Sequence, residues 1–277
     1  MIIIGIYDGH NASVCLSIDG EIVCALQEER LTKRKNEIGF PVKAVKYLLE
    51  KYELSNDNID IVAMCGIERT AINYYKYPID TVFSVNDHLD MMNNYWKPKL
   101  SGKEYSKFYI KDIFEKKYPK ENLLYEIPES YYELSTEERQ EKITDIIINT
   151  VSKIINIDKS KVKFYDHHTC HIMYGYYANK NKKDKTIGIT VDAYGDNCNQ
   201  TIWMIDKDKF KLISKSSQCE IARLYRMVTL YLRMKPLEHE YKVMGLAPYS
   251  KEQYAEEVEK DLDDLLEFND LNIMHKN

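Results

Sequence analysis

The order of short apolar runs along the chain constrains its fold more than any other feature. Residues 2–27 contain three such runs, IIIGIY, VCLSID and EIVCALQEE, and Asp19-Gly20 between the last two is a strong hairpin signal. The apolar residues of 42–49 follow helical spacing, and IDIVAMCG at 59–66 has the continuous apolar pattern of a buried strand. Three strands, a helix and a further strand predict an α/β layer structure.

A second set of strands begins near the middle of the chain. Ser135 followed by Glu138 forms a capping box, and the apolar spacing after it predicts an amphipathic helix that ends before the strand KVKFYD. TIGITVDAYGDN and QTIWMIDKDKFKLIS then read as strand, glycine turn, strand and hairpin, which repeats the order seen at the N-terminus. Two strand-turn-strand units predict two related halves, each presenting a turn to a shared cleft.

These patterns predict four segments. The main domain begins in 1–70 and continues in 136–250, which contains the histidine motif described below. Residues 71–135 are rich in Tyr, Lys, Asn and Pro with little clear periodicity. This favours an insertion or subdomain packed over the main sheet, with a partly mobile lid as the alternative. Residues 251–277 read as an acidic tail, helical at first and unpatterned at its end.

Composition argues against several classes of partner. The chain has 39 basic and 44 acidic residues, a net charge of −5 and no long basic block, so we expect no nucleic-acid partner. The first residues lack the features of a signal peptide, and no apolar stretch is long enough to span a membrane. We therefore expect a cytoplasmic protein with no membrane partner. The six cysteines form no CxxC pair, which favours reduced thiols over disulfides or zinc ligands.

The stretch DHHTCH places three of the chain's seven histidines in one short run. If a helix starts after FYD, His167 and His171 project from one face, close enough to share a cation, while His168 points elsewhere. Imidazole suits Zn, Fe, Ni or Cu, and a carboxylate usually completes such a site. Asp192 and Asp196 flank a glycine turn at the end of the next strand and are candidates for that role. The alternative is an exposed helix start or hydrogen-bonded core histidines.

Two further stretches carry groups that can bind phosphate. The turn YDGHNAS offers backbone N–H groups together with Asp8, His10 and Asn11, although these residue types are also ordinary in hairpin turns. EERLTKRKN could bring Arg30 or Lys35 to the phosphate of a ligand held by that turn, where a fixed cation would offset negative charge. A solvated charge cluster is the alternative for this second stretch.

The last notable stretch is EHEYKVMGLAPY. It places Glu238, Glu240 and Lys242 beside an apolar segment that is broken by Gly245 and Pro248. A helix end with an ordinary surface ion pair accounts for the same pattern.

Taken in this order, the four stretches resemble the carbamoyltransferase family that modifies antibiotics and nodulation factors. YDGHNASVCLSIDGEIVCALQEERLTKRKNEIGFP is similar to its N-terminal signature, HHTCH to its HHxxH motif, VDAYGD to VDGxGD and EHEYKVMGLAPY to EGEYKVMGLAPYG. Four motifs in register make the match highly specific, over residues 1 to about 70 and 160–250. The resemblance implies an actin-like, ribonuclease-H-like ATPase fold, in which the two strand-turn-strand units are the duplicated parts.

The resemblance also implies a reaction. A carbamoyl group would pass from carbamoyl phosphate, through a carbamoyl adenylate made with ATP, to a hydroxyl of a small-molecule or sugar-like acceptor. One divalent metal, most often iron in the family, would be held by His167, His171 and Asp192 and would act as a Lewis acid. Catalytic roles are implied for His10, Lys35 and Lys242. Contacts to nucleotide or carbamoyl phosphate are implied for Asp8, His10, Asn11, Arg30, Lys35, Glu240 and Lys242.

The sequence departs from the family pattern in two ways. Ala193 and His239 replace family glycines and Ile172 replaces an alanine, so we expect altered turn geometry near the site. The family's nucleotide domain also continues past residue 277, so we expect an N-terminal portion that is completed by a C-terminal half or a partner chain. A non-catalytic binding or scaffold subunit, or one half of a split enzyme, is the first alternative. A metal-dependent acyl or phosphoryl hydrolase is the second.

Overall fold

The computed structural model describes residues 1–67, 77–106, 108–118, 125–263 and 265–275. The chain forms two compact units, 1–165 and 166–277. Both units contain strands and helices, so the α/β class is confirmed. Within the described residues, no helix is both long enough and apolar enough to cross a membrane.

The first unit is built on a mixed sheet of five strands in the order β3-β2-β1-β4-β5. The strands are β1 (Ile2–Tyr7), β2 (Ser13–Ile18), β3 (Glu21–Gln27), β4 (Ile61–Cys65) and β5 (Val162–Tyr165). β1, β2 and β3 form an antiparallel meander, whereas β4 pairs parallel with both β1 and β5. Asp19 and Gly20 both have positive φ, which is the tight turn that their sequence predicts between β2 and β3.

Two long amphipathic helices cover this sheet. The helices of the unit are α1 (Glu29–Thr32), α2 (Val42–Lys51), α3 (Ile79–Val82), α4 (Val85–Met91), α5 (Lys97–Leu100), α6 (Tyr109–Lys117) and α7 (Thr136–Ile155), with a π-helical turn at Met92–Trp96 and 3₁₀ turns at Glu129–Glu133 and Lys159–Lys161. Val45 and Leu48 of α2 and Ile143 and Ile147 of α7 are fully buried in the same apolar core as the strands. The predicted capping box begins α7, because the Ser135 side chain and the Glu138 side chain each bond the other residue's backbone amide.

The tyrosine-rich segment divides between two apolar clusters. Phe83, Met91 and Phe114 belong to a small cluster of their own. Tyr125 and Tyr131 are instead buried in the main core. The parts of this predicted segment at 71–76, 107 and 119–124 lie outside the described residues.

The second unit contains a three-stranded antiparallel sheet. Its elements are α8 (His167–Tyr177), β6 (Lys185–Gly195), β7 (Cys198–Asp206), β8 (Lys209–Ser216), α9 (Ile221–Tyr231), α10 (Glu240–Leu246), a 3₁₀ turn at Ala247–Tyr249, α11 (Glu252–Asp263), β9 (Leu266–Asn269) and β10 (Asn272–His275). β6, β7 and β8 repeat the meander of β1, β2 and β3, as the sequence predicts. The end of the chain, which shows no sequence pattern, forms the hairpin β9–β10.

Helix α8 packs closely on the second sheet. Ile172 and Tyr176 of α8 are buried with Ile205 of β7. Gly188 of β6 allows this approach, since a Cβ there would lie 2.2 Å from Cδ1 of Ile172. The close packing determines where the first turn of α8, which contains the histidines, lies relative to β6.

Candidate metal centre

Two carboxylates anchor the first turn of α8. The Asp166 side chain is its N-cap and accepts hydrogen bonds from the Thr169 amide at 2.7 Å and the Thr169 hydroxyl at 2.9 Å. The Asp196 carboxylate accepts from the His167 amide at 2.7 Å. Both satisfy amides that a helix start leaves without intrahelical partners, and negative charge is favourable at this end of a helix. The histidines therefore project from a fixed backbone.

Three side chains converge from this turn and from β6. Nε2 of His167 lies 2.6 Å from Oδ2 of Asp192 and 3.0 Å from Nε2 of His171, and the His171 nitrogen lies 3.7 Å from the same oxygen. All three donor atoms lie within 4.8 Å of one another. The other Asp192 oxygen accepts a hydrogen bond from the Ala193 amide at 2.7 Å, which holds the carboxylate in place. We call these three residues, His167, His171 and Asp192, the metal triad.

A glycine beneath His167 makes this convergence possible. A Cβ at position 195 would lie 2.2 Å from Cδ2 and 2.6 Å from Nε2 of His167, far inside van der Waals contact. Sequence reasoning missed this role of Gly195, because a glycine in a turn already has an ordinary explanation.

The triad has the charge pattern of a cation site. Burial opposes ionisation of Asp192, but hydrogen bonds with His167 and His171 outweigh it and hold the pKa of this carboxyl well below its usual range. The contact with Asp192 raises the pKa of His171 above the usual imidazole value. Two imidazoles and a carboxylate form the donor set of many non-haem iron sites, and imidazole also suits zinc. The residues present therefore fit a divalent transition metal.

His168 lies apart from the triad in the core of the second unit. It is 1% exposed, and its two ring nitrogens lie 2.7 Å from the Thr190 hydroxyl and 3.0 Å from the Cys198 carbonyl oxygen. Burial lowers its pKa, so the ring is neutral. As predicted, this histidine points elsewhere. The core-histidine alternative thus holds for one of the three histidines, while the other two share a face of the helix.

In the first unit, the buried residue at the end of β1 is Asp8. Its carboxylate accepts a hydrogen bond of 2.5 Å from the hydroxyl of Tyr125, 117 positions later in the chain. The basic stretch begins beside the same turn, because the Glu28 amide donates to the Ala12 carbonyl, and just after the stretch the Gly39 amide donates to the Asp8 carbonyl. Sequence reasoning missed Tyr125, which is indistinguishable from its many tyrosine neighbours.

The other residues proposed for this turn are more open. His10 and Asn11 are half-buried, with Nδ1 of His10 3.4 Å from the Tyr7 hydroxyl. Lys35 places its ammonium 2.9 Å from the buried Glu29 carboxylate, and this bond lowers the pKa of that carboxyl. Arg30 is exposed.

The EHEYKVMGLAPY residues lie around the start of α10. A Glu240 oxygen accepts a hydrogen bond of 2.7 Å from the Leu237 amide, and Nδ1 of His239 accepts one of 3.0 Å from the Lys235 amide. Lys242 is exposed, with its ammonium 5.8 Å from the centre of the Tyr241 ring. Glu240 therefore takes part in the start of this helix.

Comparison with known proteins identifies relatives over almost the whole chain. The family described as Carbamoyltransferase N-terminus matches residues 2–276. The uncharacterised protein MJ1051 of Methanocaldococcus jannaschii is 25% identical over 251 residues, which are 90% of this chain and 34% of that protein. The uncharacterised protein sll1178 of Synechocystis is 22% identical over 93% of this chain and 35% of its own length. Nodulation protein NolNO of Sinorhizobium fredii is 19% identical over 87% of this chain and 28% of its length. The chain thus spans about a third of these relatives.

Proposed function

The chain belongs to the carbamoyltransferase N-terminal family, and from that premise we propose that it supplies the metal and phosphate sites of an ATP-dependent carbamoyltransferase. The proposed reaction moves a carbamoyl group from carbamoyl phosphate, through a carbamoyl adenylate, to the hydroxyl of a small-molecule or sugar-like acceptor. The observation that carries this proposal is the convergence of the metal triad, whose donor atoms lie within 4.8 Å of one another. The repeated strand meanders support an actin-like fold for the complete enzyme.

The metal triad would hold a divalent metal, iron by preference. Bound there, the metal would supply Lewis acidity to an acyl-phosphate oxygen and a positive charge for a nucleotide phosphate. The protein's own contribution is to present two imidazole nitrogens and one carboxylate oxygen from a capped helix and an adjoining strand. Because the relatives are about three times as long, we propose that further ligands come from polypeptide outside this chain.

The turn after β1 would orient the phosphate ligand. Asp8 is held by the Tyr125 hydroxyl and is therefore a fixed acceptor, while Asn11 has a left-handed backbone at φ 61° and shapes the turn. His10 is half-buried, so its imidazole is accessible to a bound ligand, and imidazole is the side chain that most often serves as a general base. In carbamoyl transfer the acceptor oxygen forms a bond to the carbamoyl carbon, the bond from that carbon to the phosphate oxygen breaks and AMP leaves. We assign the acceptor's proton to His10.

Cationic and polar groups from the other motifs would balance the phosphate charge. Lys35 and Arg30 lie on the stretch that is hydrogen-bonded to the first turn, and Lys35 would move from Glu29 to a phosphate oxygen. Glu240 and Lys242 are proposed to contact the nucleotide in the complete enzyme.

The first experiment measures metal in the purified chain by elemental analysis. We expect near-stoichiometric iron or zinc in the wild type and its loss in the double variant His167→Ala plus His171→Ala. His239→Ala is the control, because this histidine accepts a bond from the Lys235 amide outside the triad. A wild type without metal, even after incubation with Fe²⁺ or Zn²⁺, would refute a metal site formed by this chain alone.

A second experiment separates carbamoyl transfer from the alternatives by thermal unfolding of the metal-loaded chain. Protection by carbamoyl phosphate and ATP together, beyond either alone, supports the transferase. Protection by ATP alone would favour a non-catalytic binding subunit. A separate phosphate assay tests the hydrolase alternative. Release of inorganic phosphate from an acyl phosphate with no acceptor present would favour a hydrolase.

A further inference from the structure

A continuous chain of four polar side chains, three of them buried, lies beside the metal triad. It joins His168 to Thr190, Thr190 to Thr201 and Thr201 to Trp203, across α8, β6 and β7. His168 is 1% exposed, Thr190 7% and Thr201 2%. We call these four residues the histidine-threonine chain. Its cost is desolvation of polar groups that apolar residues of similar size would avoid, so its presence calls for a physical reason.

The hydrogen-bond direction in this chain follows from its two ends. The Cys198 carbonyl can only accept, so Nε2 of His168 carries the proton and Nδ1 offers a lone pair. At the other end, the Trp203 indole can only donate, at 2.8 Å to the Thr201 oxygen. Because Nδ1 of His168 can only accept, the Thr190 hydroxyl donates to it, and the Thr201 hydroxyl therefore donates to Thr190. Every donor and acceptor of the three bonds is used, which locks one tautomer and one ring orientation.

The position of His168 in α8 connects the histidine-threonine chain to the metal triad. His168 follows His167 directly and precedes His171, so it lies between the two histidines of the metal triad in α8. Because a helix is a rigid element, fixing the His168 ring on two neighbouring strands also fixes the rotation of α8 about its axis. Metal sites need their ligands within about 0.5 Å of the productive geometry. A small rotation of α8 would carry both Nε2 atoms away from Asp192.

We propose that the histidine-threonine chain is a positioning device for the metal triad. It sets the orientation of α8 in which His167 and His171 face Asp192, although no atom of the histidine-threonine chain binds metal. The Thr190 hydroxyl is its central link, since it joins the helix to the sheet. This inference rests on the proposed metal centre.

The test is a Co²⁺ titration of the full metal-free chain, followed by absorption spectroscopy. Thr190→Val keeps the side-chain shape and removes the hydroxyl, whereas Thr190→Ser keeps the hydroxyl. We expect Thr190→Val to weaken Co²⁺ binding by about tenfold, at the lower end of the effect of losing a group that orients a ligand directly, and to alter the Co²⁺ absorption bands. Thr190→Ser should restore wild-type affinity and spectrum.

A matched control separates positioning from general stability. Thr229 is fully buried in the same unit, but its hydroxyl bonds the Tyr225 carbonyl within its own helix at 2.9 Å. Thr229→Val should bind Co²⁺ as the wild type does. Wild-type Co²⁺ affinity in folded Thr190→Val would overturn the positioning role and leave the metal centre intact. Equal losses in both valine variants would also overturn it.

Amide hydrogen exchange of the metal-free chain distinguishes this inference from the proposed function. Thr190→Val should speed exchange at Cys170 and His171 relative to Thr190→Ser, because the helix start is less constrained. If the wild type binds no Co²⁺, the metal centre itself fails, and the role in metal positioning fails with it. If the wild type binds Co²⁺ but exchange at Cys170 and His171 is equally fast in Thr190→Val and Thr190→Ser, the positioning role alone is overturned.

Discussion

Two carboxylates, Asp192 in the second unit and Asp87 in the first, show how similar electrostatics serve different purposes. Asp87 is 3% exposed and accepts hydrogen bonds from the Lys117 ammonium at 2.5 Å and from the Tyr118 and Ser84 hydroxyls at 2.6 Å. Burial opposes its ionisation, but these bonds outweigh it and hold the pKa of Asp87 well below its usual range. The pKa of Asp192 is lowered in the same direction, with imidazoles as its partners.

The difference lies in what the partners can release. At neutral pH the Lys117 ammonium and the Tyr118 hydroxyl keep their protons, and desolvation with the bond to Asp87 raises the pKa of Tyr118 to about 12. Asp87 is therefore occupied by permanent donors, and it also completes the capping box at the start of α4. The imidazoles around Asp192 expose lone pairs once a proton leaves, so a metal can take the proton's place. A carboxyl group with a low pKa indicates a metal site only when the groups that hydrogen-bond to it can themselves coordinate a metal.

The largest expected effect is on metal binding when the two carboxylates are replaced in matched variants. Asp192→Asn removes the anionic ligand, so Co²⁺ affinity should fall by more than the roughly 10–100-fold expected for an outer-shell change. Asp87→Asn should leave the affinity unchanged. Isothermal titration of both variants measures this, and a loss of affinity in Asp87→Asn would remove the distinction between the two sites.

Next in size is Gly195→Ala, which places a methyl group against the His167 ring. We expect a loss of Co²⁺ affinity of about tenfold, in the range of outer-shell effects, and destabilisation of about 1–3 kcal/mol from overpacking. Gly175→Ala in α8 is the matched control, since nothing lies within 4 Å of its Cβ position. It should stabilise the helix by about 1 kcal/mol. Equal behaviour of the two variants in urea unfolding and titration would contradict the packing argument.

Asp87→Asn should affect stability and its pH dependence. Loss of charged hydrogen bonds should cost about 1–3 kcal/mol at neutral pH, since Lys117, whose side chain is 46% exposed, can regain solvent. The native pKa of Asp87 is depressed, so its contribution is present above the unfolded pKa of about 4 and is lost as pH falls towards the native value. Urea midpoints from pH 7 to 3 should therefore fall more steeply for the wild type. Parallel curves would show that Asp87 ionises as in the unfolded chain.

The smallest effect is expected for Ser135→Ala, which removes a capping box with no buried carboxylate. It should cost about 1 kcal/mol. Ser84→Ala should cost more, because the Ser84 hydroxyl donates to the buried carboxylate of Asp87, whereas Glu138 is exposed. Urea unfolding of both variants gives this ranking, with Co²⁺ affinity unchanged in each. A larger loss of stability in Ser135→Ala than in Ser84→Ala would mean that the Ser84 hydroxyl contributes nothing beyond its role in the capping box.

Local patterns in the sequence determined much of this protein. The turn at Asp19 and Gly20, the capping box before α7 and the shared helical face of His167 and His171 all depend on residues a few positions apart, and backbone geometry relates such residues directly. For the carboxylate, the sequence left Asp192 and Asp196 as candidates, and the family resemblance selected Asp192. The family resemblance, carried by motifs in residues 1 to about 70 and 160–250, is confirmed by the family match over residues 2–276.

Only the tertiary structure decided the contacts that give these residues their environment. Tyr125 reaches Asp8 across 117 positions, Gly195 leaves room for the His167 ring, and Thr190 bonds the ring of His168 across 22 positions. None has a local signal, because each depends on which side chains a packed interior brings together. A tyrosine, a glycine or a threonine has the same local preferences wherever it occurs, and its partner is selected by the close packing of distant elements.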